Sequence, residues 1–146
     1  MFRGNYPAKI DDKGRFKIPT AFRRLLLEKY GPDLYVTSLS GENVQLYPLK
    51  VWEEIEKKLI NLPTTNPVKM KFLNRCNYYG QLVSLDKQGR VLIKPLLRDT
   101  AAMNGEVSVI GHLNYLEVWN TQNFEAKLKT EPVTEADMSL LDQLGI

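Results

Sequence analysis

Apolar residues recur at helical spacing in some stretches of the chain, and shorter strand-like runs bounded by turn residues fill most of the rest. Behind Pro48, Val51, Trp52, Ile55 and Leu59 share one helix face, while Glu53 with Lys57 and Glu54 with Lys58 are spaced for i, i+4 ion pairs on the other. Asn66 and Pro67 read as the N-cap and first residue of a helix over about 68–77, in which Val68, Phe72 and Cys76 form one apolar stripe. Residues 20–30 have helical composition and stop at Gly31-Pro32. Residues 6–10 read as a strand, 11–14 as a turn and 15–18 as a return strand that Pro19 ends, together a hairpin-like loop. Two further strands, 34–39 and 43–47, flank the turn at Ser40-Gly41. Near the end, Thr134 and Asp137 have capping-box spacing ahead of Met138, Leu140, Leu141 and Leu144, which predicts either a docking helix or a frayed end.

This order of elements is expected twice, because the chain resembles itself. Asp11-Asp12-Lys13-Gly14-Arg15 and Asp86-Lys87-Gln88-Gly89-Arg90 both read DxxGR and both precede a strand-like run and a nearby proline. Each also has an arginine eight residues further on, Arg23 and Arg98. Downstream, Val44-Gln45-Leu46-Tyr47 before Trp52-Glu53 matches Leu116-Glu117-Val118-Trp119 before Phe124-Glu125. The expected organisation is a first repeat over 1–62, a linker with a short helix over 63–77, a second repeat over 78–130 and an acidic tail over 131–146. A unit of about 50 residues with short strands buries too little apolar area to stand alone, so the two should share one core. Any sheet edge left open invites pairing with another chain, and a homo-oligomer is expected.

Charge sharpens the picture. The net charge is only +3, but residues 1–24 hold seven basic groups against two acids, so the rest of the chain nets two negative charges. A cationic excess confined to one end marks a localised surface for a polyanion. The DxxGR motif has a physical logic for that purpose. Its aspartate can accept from backbone N–H groups just ahead, its glycine supplies a positive φ, and the arginine then leaves a stiffened loop ready for phosphate or a guanine edge. Asp11, Gly14, Asp86, Gly89 and Arg90 are read as loop-shaping residues. Arg15 is the candidate DNA contact, with Lys13 and Lys17 two positions either side and Arg3 and Lys9 widening the patch. In the second copy Lys9, Lys13, Lys17 and Arg24 correspond to Ser84, Gln88, Leu92 and Asp99, so the first copy is read as the DNA-reading one.

Taken together, Met1-Phe2-Arg3-Gly4, DDKGRFKIP, LYPLKVWEEIEKKL, DKQGRVLIKPLLR and LEVW resemble the MraZ family, with two tandem AbrB-like (SpoVT-AbrB) domains, from Met1 to about Leu128. The acidic tail resembles it poorly. The resemblance implies an α+β, mainly β fold: a pseudo-two-fold swapped-hairpin barrel with flanking helices, assembled into a ring-like homo-oligomer. It also implies a cytoplasmic, nucleoid-associated transcriptional regulator of the division and cell-wall gene cluster, binding short G-rich direct repeats in double-stranded promoter DNA. Arg15, with Lys13 beside it, would take the DNA-reading role.

Other classes fit less well. No apolar run approaches the roughly 20 residues of a membrane span, and the N-terminus lacks the apolar region of a secretory signal, which reads as a soluble intracellular protein. One cysteine and one histidine supply no ordinary zinc site, so no metal, no cofactor and no small-molecule substrate are expected. No Walker loop or nucleophile elbow is present, and no catalytic residues are assigned. His112 reads as a solvated turn residue, and Trp52, Trp119 and the tyrosines as core or interface. An AbrB-fold antitoxin or protein-interaction module is the alternative, although such proteins join one DNA-binding copy to a disordered tail.

Overall fold

A computed structural model describes residues 1–146. In chain order the elements are β1 (Asn5–Ile10), β2 (Arg15–Lys17), α1 (Thr20–Lys29), β3 (Asp33–Thr37), β4 (Val44–Pro48) and α2 (Leu49–Ile60). Then come α3 (Pro67–Tyr78), β5 (Gln81–Ser84), β6 (Arg90–Leu92), α4 (Pro95–Thr100), β7 (Gly105–His112), β8 (Tyr115–Asn120), α5 (Thr121–Thr130) and α6 (Glu135–Gln143). The succession strand, strand, helix, strand, strand, helix thus runs from β1 to α2 and again from β5 to α5.

The fold is α+β, but it is not mainly β, since helical residues outnumber those in strands. Nor does the sheet close into a barrel. Six antiparallel strands run in the order β1-β7-β8-β4-β3-β5, with β1 and β5 at the edges, and β2 pairs with β6 as a separate two-stranded ribbon. The hairpin expected of residues 6–18 is also absent: β1 pairs with β7, and β2 turns away to β6. The turn explains this. It ends on Gly14 at φ +84°, and the Gly14 carbonyl then accepts from Ile93 N at 2.9 Å, while Ile18 N donates to the Gly89 carbonyl at 3.0 Å. Those two bonds tie each turn to the strand that follows the other.

Four of the six ladders, β1–β7, β2–β6, β3–β5 and β4–β8, join an early strand to a late one. The apolar side chains they carry inward form one cluster: Phe16 and Ile18 meet Val91 and Ile93, and Val44 and Leu46 meet Leu116 and Val118. Burying such side chains is worth roughly 1.5–3 kcal/mol each, and here neither half can collect it without the other. On the outer face of β3 and β4, Trp52 stacks on Tyr35 at 4.6 Å and Phe72 at 6.2 Å, with Cys76 fully buried beneath. The helices α2 and α3 therefore roof this side, as the spacing of Trp52 and Cys76 predicts. Val68, expected on the same stripe, is exposed. The Asn66 side chain caps α3 through Val68 N and Lys69 N, and Pro67 stands at its start. In α2 the ion pair formed is Glu54 to Lys57 at 2.8 Å, an i, i+3 contact rather than the i, i+4 pairs expected. His112 closes β7 instead of sitting in the turn, 3.4 Å from the Glu117 carboxylate.

Candidate nucleic-acid interface

The loop before β2 is built by one carboxylate. Asp11 Oδ1 accepts from Lys13 N at 3.0 Å and Arg15 N at 2.9 Å, and Asp11 Oδ2 takes the Arg15 Nε at 3.1 Å. These bonds, the one from Arg15 N foremost, hold the Asp11 carboxyl below the usual carboxylate range. The later turn copies the arrangement: Asp86 accepts from Gln88 N, Arg90 N and Arg90 Nε at 2.9, 2.8 and 2.7 Å, and its acid is likewise lowered, chiefly by Arg90 N. Arg15 and Arg90 are thus both braced through Nε. Their terminal Nη groups make no hydrogen bond within the chain and stay available to a ligand.

The β2–β6 ribbon brings these arginines together. Phe16 lies opposite Val91 and both are buried, so the alternate residues face outward. On that outer face Lys17 stands directly across from Arg90, and Arg15 across from Leu92. Like charges facing each other across a ladder repel, with Cβ atoms only about 5 Å apart; the Asp86 carboxylate offsets part of this at Arg90, and a bound anion would offset the rest. An open groove of about 530 Å³ runs along the ribbon, lined by Lys9, Arg15, Lys17, Arg23 and Arg90 together with Asp11 and Gln88.

The sequence-assigned residues distribute unevenly around this groove. Arg15, Lys17 and Lys9 line it, although Lys9 lies opposite Glu106 in the β1–β7 ladder, which offsets part of its charge. Lys13 is exposed at the tip of the turn, outside the groove. Arg3 is not among the residues that line the groove. It precedes β1 beside the Phe2 to Leu113 bridge, beyond the bend at Gly4, whereas Lys9 is near the other end of β1. Arg90, assigned on sequence grounds to scaffolding alone, is both scaffold and groove wall.

Arg23 and Arg98 were visible as recurrent arginines but not for what they do. Arg23 of α1 lies over Gly89, with Nη2 at 3.4 Å from the Lys87 carbonyl, and Arg98 of α4 lies over Gly14, with Nη1 at 3.4 Å from the Asp12 carbonyl. Each helix thus clamps the other half's turn. No side chain could be added at Gly14 without meeting the Arg98 guanidinium at 2.7 Å and the Ile93 carbonyl at 2.8 Å. The two turns are held by the fold, not merely by their own residues.

No group of three or more His, Cys, Asp or Glu side chains gathers as a metal cage, and no helix is long and apolar enough to cross a membrane. Comparison with known proteins gives a consistent result. A family model described as "MraZ protein, putative antitoxin-like" matches residues 1–75 and 80–144. The match reaches well into the acidic tail, which corrects the poor resemblance read there from sequence. The chain is 45% identical over 146 residues to a protein of Acidobacterium capsulatum and 48% identical over 147 residues to one of Koribacter versatilis, each covering 100% of both chains. It is 35% identical over 132 residues to one of Escherichia coli, across 90% of this chain and 87% of that one. All three are named transcriptional regulator MraZ.

Proposed function

Because the chain belongs to the MraZ family, we propose that it regulates transcription by laying the cationic face of the β2–β6 ribbon in the major groove of double-stranded DNA. A two-stranded ribbon is one of the two elements that groove admits. The observation that carries the reading is the outward set Arg15, Lys17 and Arg90, with two cations in direct opposition. Arg15 and Arg90 present free Nη groups on a braced Nε, the geometry for bidentate pairing with guanine O6 and N7, worth about 1–3 kcal/mol of discrimination per pair. Lys17, Lys9 and Arg23 line the same groove and serve as phosphate contacts, with Lys13 reaching the backbone from the tip.

The finer parts of the proposal rest on the family resemblance. The targets are short G-rich direct repeats in the promoter of the division and cell-wall gene cluster, and the protein works at the nucleoid in the cytoplasm. The two halves, 1–62 and 78–130, are AbrB-like repeats joined through 63–77, related by a pseudo-two-fold axis through the β2–β6 ribbon. The protein acts as a ring-like homo-oligomer. Several ribbons on one assembly engage successive repeats, so affinity rises by avidity with few base contacts per chain. An antitoxin role is favoured only by the wording of the family description; a small basic protein copurifying in stoichiometric amount would support it.

Mobility shifts on a promoter duplex with several repeats, run over a range of salt, test the reading. Lys17→Ala should shallow the slope of log K against log salt by about 0.9 per chain. Arg15→Ala and Arg90→Ala should each also lose discrimination between the repeat and a scrambled duplex by about tenfold or more. Unchanged discrimination in both arginine variants, in protein that is still folded, overturns the proposal.

A further inference from the structure

The β2–β6 ribbon has four outward positions, two on each strand. Three hold cations, Arg15, Lys17 and Arg90, and the fourth holds Leu92. The strands read Arg15-Phe16-Lys17 and Arg90-Val91-Leu92, so a leucine stands in the second half where the first half has a lysine. Leu92 is 43% exposed, whereas Phe16 and Val91, which face the other way, are buried. A lone exposed leucine is ordinary on most of a protein surface. Here its place gives it meaning, because it lies directly across from Arg15 on the face proposed to enter the major groove.

The two side chains differ in what they recognise on a base edge. An arginine pairs with guanine O6 and N7. A leucine has neither donor nor acceptor to offer, and the methyl on pyrimidine C5 is the apolar group that the major groove presents to it. Unmodified DNA carries that methyl on thymine, and 5-methylcytosine presents the same group at the same ring position. Opposed residues in a ladder have Cβ atoms about 5 Å apart, against about 3.4 Å between stacked base pairs, so side chains that face each other reach neighbouring pairs. Leu92 does not line the cationic groove, where Lys9, Lys17 and Arg23 are placed for phosphate.

We infer that Leu92 is a specificity-determining residue that packs on a pyrimidine 5-methyl group in the base pair next to the one read by Arg15. The inference rests on the proposed docking of the ribbon in the major groove and deepens it, since the second half then adds an apolar contact to the polar ones. Removing one methyl from such a contact should weaken binding about fourfold. Leu92→Lys rebuilds the cation of the first half at this position. It should trade the methyl preference for a steeper salt dependence, by about 0.9 per chain in the slope of log K against log salt.

Mobility shifts of the full chain on a multi-repeat promoter duplex test it, with one position of one repeat at a time changed from thymine to uracil or from cytosine to 5-methylcytosine. Both exchanges alter only the methyl group. In the wild type one position should respond, by about a fourfold loss with uracil or about a fourfold gain with 5-methylcytosine, and the arm that responds names the source of the methyl. Leu92→Ala and Leu92→Lys should abolish that response while leaving the unfolding midpoint unchanged, because the side chain is exposed. The contact is overturned by a wild type that responds at no position, by a response that persists in Leu92→Ala, or by an unchanged salt slope in Leu92→Lys. A change of oligomer mass in either variant also overturns it, by assigning Leu92 to a contact between copies. Discrimination that remains sensitive to Arg15→Ala leaves the ribbon reading standing in each of those cases, whereas a wild type that binds repeat and scrambled duplexes equally overturns both.

Discussion

Gly14→Ala should destabilise the protein well beyond Gly89→Ala, although the two glycines end matching turns. Both have positive φ, +84° and +74°, and a left-handed backbone costs an ordinary residue roughly 1–2 kcal/mol. Their surroundings differ. The three atoms that a Cβ on Gly89 would meet first all belong to the Arg23 side chain, Nε at 2.6 Å and Cδ at 2.7 Å among them, and that side chain can swing aside. A Cβ on Gly14 would also lie 2.8 Å from the Ile93 carbonyl oxygen, on backbone that is itself held by the 2.9 Å bond from Ile93 N to the Gly14 carbonyl. Relieving that contact stretches the bond, at about 0.5–1.5 kcal/mol, and shifts packed backbone, at about 1–3 kcal/mol. The expected losses are thus about 1–2 kcal/mol for Gly89→Ala and about 3–5 kcal/mol for Gly14→Ala. Urea unfolding followed by the fluorescence of buried Trp52 and Trp119 measures both, at matched protein concentration because assembly adds to apparent stability. Equal losses, or the reverse order, would show that the reciprocal tie between turns is not what holds Gly14.

Two further outcomes follow from the titrating groups. Asp11 and Asp86 both have folded-state acids lowered below the ordinary aspartate value, so their contribution is fully present above that ordinary value and is lost as pH falls through the folded values. Asp11→Asn should therefore flatten the fall of melting temperature below about pH 4, and an unaltered acid limb in that variant would contradict the turn bonding. Cys76 is fully buried and burial pushes its thiol up, so a soluble thiol reagent should label native protein no faster than the chain opens. Rapid labelling under native conditions would mean that α3 lifts from the sheet.

Local signals carried the sequence reading furthest. The Asp11 turn, the Asn66 cap, the Thr134 capping box and the inward stripe of α2 depend on residues a few positions apart, and each stands in the structure where its residues predict it. What failed was long-range. Nothing in residues 11–18 says that β2 will pair with a strand some 75 positions later, so a hairpin was expected and the opposition of Lys17 to Arg90 was hidden. The same blindness assigned Arg90 to scaffolding and left Arg23 and Arg98 as unexplained recurrences, because their partners lie in the other half. Arg3 illustrates the converse: it is near Lys9 in sequence, but β1 lies between them and Arg3 does not line the groove.

The crossed ladders also bear on how the polypeptide tolerates being cut. Each half supplies strands that fill gaps in the other, and the tie at residues 61–66 adds no sheet hydrogen bond of its own. A peptide bond severed there would leave two pieces interlocked like clasped hands, able to co-fold from separate genes by complementation yet useless apart. The two segments are partners in one nucleus, not beads on a string.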